Sequence, residues 1–241
     1  GSAVHLEILD ASTDTGAKQL GRAFHCLALE GEETFASRYW TALKPKGSGS
    51  RGAWKDELAA HEGRAFLDPE DEATVRAMAA AVRVVLPPET MQPEVSIFWT
   101  TGHSPDIQCK ARIDAIRTGR KTIIELKSAD DVSDRAFLHG RYGVFSLGYH
   151  FRAYWYARGL ASILGLSEPP EVTLIVCESH APFSVRRFVF DPLVLQHASG
   201  LWDRALDVYA KCLATGEWPG YGQDVETIRL PAWLAGELED A

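Results

Sequence analysis

Three charged residues, Asp114, Glu125 and Lys127, lie within two short apolar stretches that a polar turn joins in KARIDAIRTGRKTIIELKSADD. The β-branched residues and the turn TGRK predict a β-hairpin. If the turn centres between Gly119 and Arg120, Asp114 lies directly opposite Glu125. Two opposed carboxylates destabilise a hairpin by about 0.2–1 kcal/mol, and a cation bound between them would remove the repulsion. The same charges could instead form the solvated face of an edge hairpin.

Alternation along the second strand predicts that Glu125 and Lys127 share one face with Ile123, whereas Ile124 and Leu126 take the other face. Carboxylate oxygens are hard ligands that suit Mg²⁺ or Mn²⁺, and Mg²⁺ keeps several waters when it binds to protein. A bound cation lowers the pKa of such a water and offsets negative charge that develops on a phosphate. The pattern therefore predicts metal-dependent hydrolysis, in which Lys127 orients the water or stabilises the transition state.

Length and composition favour a single domain over residues 1–241. Hydrophobic residues make up 46% of the chain, and no apolar run is long enough for a membrane span. We interpret the opening Gly1–Ser2 as an expression scar, and no signal segment follows it. The four cysteines form no C-x-x-C pair, which disfavours a zinc ribbon or an iron–sulfur cluster and predicts reduced thiols in a cytoplasmic protein.

The formal net charge of −8 counts against a protein that coats nucleic acid nonspecifically, because neutralising phosphates requires Lys and Arg. A nuclease with local basic patches remains compatible with this charge. Each candidate for such a patch could equally be ordinary surface charge. The candidates are Lys44, Lys46, Arg51, Arg117, Arg120, Lys121, Arg186 and Arg187.

The elements that must position the charged residues can be predicted from periodicity and end signals. We expect helices over 21–31, from Asp68 to the prolines at 87 and 88, over 134–164 with a break at 140–148, and from Asp191 to Gly216. Strands are expected at 94–100, in the hairpin, at 171–177 and at 184–190. The segment 44–52 reads as a flexible loop. This order predicts an α/β fold, with a mixed sheet flanked by helices on both faces.

That order, with D…E-x-K on the second and third strands, resembles the restriction-endonuclease-like core of the PD-(D/E)XK nucleases. The match extends beyond the core. LGRAFHCLALEGEETF, PEVSIFW, CKARIDAI, TIIELKSADD, GYHFRAYWYARGL and ATGEWPGY together resemble the nuclease domain of exodeoxyribonuclease VIII (RecE type) and its phage relatives. The similarity runs from about Ala3 to the LPAW near residue 233. The segment that usually precedes SAVHLEIL is missing, so the resemblance implies a chain truncated at its N-terminus.

The resemblance implies a role for each matching position. Asp114 and Glu125 correspond to the metal carboxylates, and Lys127 corresponds to the catalytic lysine. His25, in G-x-x-F-H, corresponds to a metal ligand of the RecB-like nucleases, and the carbonyl of Leu126 is expected to assist. Imidazole is a softer donor that binds Mn²⁺ acceptably and Mg²⁺ more reluctantly.

Supporting roles are expected for Glu94, Arg152, Tyr156 and Arg120. Glu94 is either a group that supports the metal or an ordinary acid at the edge of the sheet. The family's helix usually carries a glutamine and, four residues later, a tyrosine, whereas this chain has Arg152 and Tyr156 on one helix face. The planar guanidinium suits a phosphate, so the change could tighten the grip on DNA or disturb the waters of the metal.

The function that the resemblance implies is a Mg²⁺-dependent exonuclease of phage-type recombination. It would degrade one strand from a double-stranded DNA end in the 5′→3′ direction, as a ring-like homo-oligomer that works with a single-strand annealing protein. An endonuclease or repair nuclease on the same fold is one alternative. A catalytically weak DNA-binding module is the other.

Overall fold

A five-stranded mixed sheet forms the centre of the computed structural model, which describes residues 16–44, 50–86, 91–117, 122–220, 225, 227 and 228. The elements in chain order are α1 (Gly16–His25), α2 (Glu32–Arg38), β1 (Tyr39–Thr41), α3 (Ser50–Ala60), β2 (Ala65–Leu67), α4 (Pro69–Val85), β3 (Met91–Thr100), β4 (Gln108–Arg117), β5 (Thr122–Ala129), α5 (Tyr149–Leu164), β6 (Val172–Glu178), β7 (Val185–Val189) and α6 (Pro192–Thr215). Two π-helical turns, Cys26–Glu30 and Asp134–Leu138, follow α1 and β5.

The sheet has the strand order β3-β4-β5-β6-β7. Only β5 and β6 pair in parallel, and the other neighbours pair antiparallel. The short strands β1 and β2 form a separate parallel pair. The predicted mixed sheet is therefore confirmed, while β1, β2, α2 and α3 were not predicted.

Helices cover both faces of the sheet, as predicted. One core joins α1 and α4 to the sheet and contains Phe24, Ile124 and Leu126. The other core joins α5 and α6 to the sheet and contains Ile123 and Leu160. Along β5, Ile124 and Leu126 therefore face one core and Ile123 faces the other, in the predicted alternation.

The hairpin of β4 and β5 has the register that an even loop predicts. Ala115 pairs with Ile124 and Arg117 pairs with Thr122, while the turn at 118–121 lies outside the described residues. The backbone ladder stops there, so Asp114 and Glu125 are next in register without being paired through the backbone. The ladder between β3 and β4 also skips Asp114. The strands open locally at this carboxylate.

The predicted end signals of α4 and α6 are present, whereas α1 begins at Gly16, five residues before the predicted start at 21. Asp68 has extended backbone angles and Pro69 begins α4, and the Asp191 side chain accepts a hydrogen bond from Leu193 N–H at the start of α6. Gly216 ends α6 with a φ of 73°. The predicted break at 140–148 is present. The segment 44–52 differs from the predicted loop because α3 begins at Ser50, while 45–49 lie outside the described residues.

None of the described helices combines the length and the apolar character that crossing a membrane requires. All four cysteines, Cys26, Cys109, Cys177 and Cys212, are free and buried.

Candidate active site

Four elements bring the predicted catalytic side chains together. His25 is the last residue of α1, Asp114 lies on β4, and Glu125 and Lys127 lie on β5. Arg152 reaches the same place from the first turn of α5. Because β5 is central and its neighbour opens at Asp114, the charged side chains can turn toward one another between the helix layers.

Lys127 lies between the two carboxylates. Its Nζ is 3.0 Å from Asp114 Oδ2, 3.0 Å from Glu125 Oε2 and 2.7 Å from the carbonyl oxygen of Leu126. The backbone N–H of Leu126 donates to Asp114 Oδ2 over 2.8 Å. His25 Nδ1 lies 3.8 Å from the same Asp114 oxygen. The ammonium group of Lys127 thus lies between the two carboxylates that were predicted to face each other.

The two carboxylates differ in their electrostatics although they share this lysine. Burial acts to raise the pKa of Asp114, but Lys127, His25 and the hydrogen bond from Leu126 together hold it below its usual value. Burial raises the pKa of Glu125, and the charge of Lys127 offsets only part of this effect. Both Glu125 oxygens are buried; Oε2 faces Lys127 and Arg152, whereas Oε1 has no polar partner among the described residues. Glu125 therefore has unused acceptor capacity for a bound ligand.

The donor set suits a hard divalent cation. Burial lowers the pKa of His25, although the Asp114 charge opposes this, so its imidazole is neutral at pH 7 and can act as a ligand. In the described ranges, no three His, Cys, Asp or Glu side chains are gathered closely enough to form a metal cluster as they stand. The ammonium of Lys127 instead occupies the space between the acids. Two carboxylates, an imidazole and a carbonyl match the ligands of Mg²⁺ or Mn²⁺ in type.

Helix α5 adds an aromatic and cationic side to the site. Arg152 Nε lies 3.4 Å from Glu125 Oε2, and its guanidinium lies 5.2 Å from the centroid of the Tyr149 ring. Lys127 Nζ is 5.9 Å from the same centroid. Burial raises the pKa of Tyr156 to about 12, and the Glu125 charge contributes. Tyr149 was not predicted, although its i, i+3 spacing from Arg152 could have indicated it.

The remaining predicted residues lie farther from this centre or outside the described chain. Glu94 on β3 has a φ of 55° and accepts a hydrogen bond from Arg112 Nε. Burial raises the pKa of Glu94, and Arg112 opposes this shift. Arg120 lies outside the described residues, as do Lys46 and Lys121. Lys44 and Arg186 form ion pairs with Asp68 and Asp134, as ordinary surface charges do.

Comparison with known proteins agrees with this arrangement at the level of the fold. A protein from Eubacterium rectale, named as a candidate exonuclease, superposes with a TM-score of 0.50 and 16% identity, over 71% of this chain and 64% of that protein. The chain thus spans less than two thirds of that relative. SSO0001 superposes with a TM-score of 0.33 and 15% identity, over 61% and 65% of the two chains. No curated protein matches the sequence. Residues 3–231 match the model of one family, and the chain belongs to it: the PDDEXK-like domain of unknown function.

Proposed function

We propose that this protein is a metal-dependent deoxyribonuclease that acts as an exonuclease on double-stranded DNA ends. The observation that carries the proposal is the contact of Lys127 with both Asp114 and Glu125, beside His25, in a PDDEXK-like chain. Carboxylates that converge on a lysine and an imidazole are suited to phosphodiester hydrolysis.

Each residue has a defined task in this proposal. Asp114, Glu125, His25 and the Leu126 carbonyl would hold Mg²⁺ or Mn²⁺. A bound cation of this kind supplies an acidified water and offsets charge on the phosphate. Lys127, whose ammonium donates hydrogen bonds to Asp114 and to the Leu126 carbonyl at the centre of the site, would orient the attacking water.

The mode of action rests on the resemblance to exodeoxyribonuclease VIII. It implies 5′→3′ degradation of one strand, a homo-oligomer that encloses DNA, a role in phage-type recombination, and a single-strand annealing protein as partner. The name of the Eubacterium rectale protein agrees with an exonuclease. An enclosing oligomer would also help a chain with a net charge of −8 to retain DNA through many turnovers.

Duplexes labelled at either the 5′ or the 3′ end, incubated beside a covalently closed circle, test the proposal. With Mg²⁺ or Mn²⁺ we expect early release of the 5′ label, an intact circle, and no reaction in excess EDTA or with Asp114→Asn. Cleavage of the circle would identify an endonuclease. Full activity in EDTA would refute the metal dependence.

One observation favours a catalytically weak DNA-binding module as the second candidate. Arg152 stands where the family's helix usually carries glutamine, and its Nε lies 3.4 Å from Glu125 Oε2. Two cationic side chains therefore compete with a metal for the same carboxylate. DNA binding without hydrolysis of any labelled substrate in Mn²⁺ would establish this candidate.

A further inference from the structure

The outer face of the β3–β4 ribbon is exposed, and it leads toward the candidate active site. Ile97 and Trp99 on β3 and Ile113 on β4 point to the opposite face, where they join the core under α5. The outward residues alternate with them and pair across the two strands in register. These pairs are Ser96 with Arg112, Phe98 with Lys110, and Thr100 with Gln108.

The ribbon face is continuous with the catalytic carboxylate. Arg112 lies two residues before Asp114 on β4, and Lys110 lies two residues before Arg112. Because a strand rises about 3.4 Å per residue, these steps place Arg112 about 7 Å and Lys110 about 14 Å from Asp114 along the strand. The π-helical turn that follows α1 lies against β3 and ends at Glu30, whose charge acts on Glu94. Among the described elements, the helices that cover this side of the sheet do not extend over Phe98, which is 70% exposed.

The exposed side chains have the chemistry that single-stranded nucleic acid requires. The Phe98 ring offers a free face on which a base can stack. Arg112 uses its Nε to bind Glu94, and its side chain is 63% exposed, so the rest of the guanidinium remains available for a phosphate. The Lys110 side chain is exposed beside Phe98. By accepting the hydrogen bond from Nε, Glu94 orients the Arg112 guanidinium.

We propose that this ribbon face, defined by Phe98, Lys110 and Arg112, binds an unpaired segment of the DNA strand that is cut and leads it to Asp114. The proposal deepens the proposed function and rests on it. Bases inside a duplex are already stacked on both faces, so a single protruding ring favours an unpaired base, whose faces are free. The locally positive, aromatic surface also complements a DNA strand, whereas the chain as a whole is acidic.

A binding measurement in EDTA tests the surface without requiring hydrolysis. Fluorescence anisotropy of a labelled single-stranded oligonucleotide is compared for the wild type, Phe98→Ala and Lys110→Ala. Leu193→Ala and Lys211→Ala remove an exposed apolar side chain and an exposed cation on α6 as matched controls. We expect Phe98→Ala to weaken binding by about tenfold or more. Lys110→Ala should lower the slope of log affinity against log salt by about 0.7.

An oligonucleotide with abasic positions separates stacking from a general loss of structure. Abasic positions should weaken binding to the wild type and have little further effect on Phe98→Ala. The proposal is overturned if both ribbon variants bind the oligonucleotide as tightly as the α6 controls do. It is also overturned if Phe98→Ala makes an oligomer dissociate while DNA affinity is unchanged. A protein that binds through the ribbon without hydrolysing DNA would refute only the proposed function. If the wild type hydrolyses DNA and the ribbon variants bind DNA as the wild type does, only the proposed role of the ribbon face is refuted.

Discussion

Helix α5 takes part in two regions that are held together by different forces. Its first turn belongs to a charged region, consisting of Asp114, Glu125, Lys127 and Arg152, in which ammonium or guanidinium groups lie within 3.4 Å of the carboxylates. Its later turns belong to a packing region, consisting of Trp99, Trp155, Gly159 and Trp202. There the rings of Trp155 and Trp202 stack with centroids 3.7 Å apart. The ring of Trp99 lies 4.7 Å from that of Trp155.

The two regions should respond differently to substitution. The charged region depends on the balance of two acids and two cations, so a substitution that keeps shape and removes charge should change its function. The packing region depends on close contact, so an added methyl group should change stability and leave the chemistry intact. The four variants that follow change charge or shape in one region at a time.

Asp114→Asn should have the largest effect, because it removes charge from the charged region while keeping the shape of the side chain. The amide oxygen can still accept the hydrogen bond from Leu126 N–H, so the fold should persist. We expect Mn²⁺ affinity to fall by more than about 100-fold, since loss of even an outer-shell partner costs about 10–100-fold. Calorimetric titration of Mn²⁺ and hydrolysis of end-labelled duplex measure the two losses. Normal Mn²⁺ binding by the variant would remove Asp114 from the ligand set.

Lys127→Ala should reduce the rate of hydrolysis by about 10²–10³-fold, as removal of a positioned catalytic donor does. Asp114 and Glu125 also lose their shared counter-charge. The free energy of unfolding should therefore fall by up to about 3–5 kcal/mol, less where Glu125 takes up a proton. Urea unfolding beside the exposed-site control Lys211→Ala measures the loss.

A bound divalent cation should restore part of the stability that Lys127→Ala loses, because it supplies the missing positive charge. Mg²⁺ should therefore raise the free energy of unfolding of Lys127→Ala more than that of the wild type. Equal effects of Mg²⁺ on both proteins would contradict a shared position for the cation and the ammonium. Hydrolysis at the wild-type rate would show that Lys127 is only a structural charge.

Much of the charged region could be predicted from the sequence because its geometry is local. Alternation along β5 and an even loop determine which face Glu125 takes and that Asp114 comes next to it in register. The direction of the Lys127 side chain could not be predicted, because it depends on how the ladder opens at Asp114. The opposite pKa shifts of the two acids depend on the same detail.

Contacts between distant parts of the chain account for most of what the sequence did not indicate. The approach of Gly159 to Trp99 brings together a helix and a strand, and no spacing rule connects the two residues. The elements α2, β1 and β2 are three to seven residues long, which is too short for periodicity to distinguish them from loops. By contrast, α6 carries a start signal at Asp191 and a stop signal at Gly216, and it was predicted at both ends.

Gly159→Ala changes shape in the packing region without changing charge. A Cβ atom at this position would lie 2.8 Å from Trp99 Cη2 and Cζ3, and the stacked rings leave Trp99 little room to move. Overpacking costs about 1–3 kcal/mol, whereas alanine gains only about 1 kcal/mol over glycine in a helix, so we expect a net loss of stability. Thermal and urea unfolding measure it. DNA hydrolysis below the melting temperature should be unchanged.

Gly200→Ala is the matched control for this substitution because it adds the same methyl group within α6. There the new Cβ would meet only Arg204 Nη1, at 3.4 Å, at the end of a flexible side chain. We expect a gain of about 0.5–1 kcal/mol from the better helix former. If both alanine variants were stabilised, the close approach of α5 to Trp99 would not constrain the packing region.

Arg152→Gln should have the smallest effect, and it tests whether the charged region contains one cation too many for a metal site. Removing the guanidinium takes away a positive charge 3.4 Å from Glu125 Oε2, so Mn²⁺ should bind several-fold more tightly. The effect is limited because the Arg152 side chain is 39% exposed and water screens its charge.

The same variant should bind DNA more weakly in EDTA, since a phosphate contact is lost. Arg158→Gln is the control: it removes another arginine of α5, one that pairs with Asp203 of α6, and it should change neither quantity. Tighter Mn²⁺ binding with faster hydrolysis would mean that Arg152 restrains a working nuclease. Unchanged Mn²⁺ affinity with weaker DNA binding would mean that the arginine serves only to grip the phosphate, and that Glu125 tolerates both cations beside a metal.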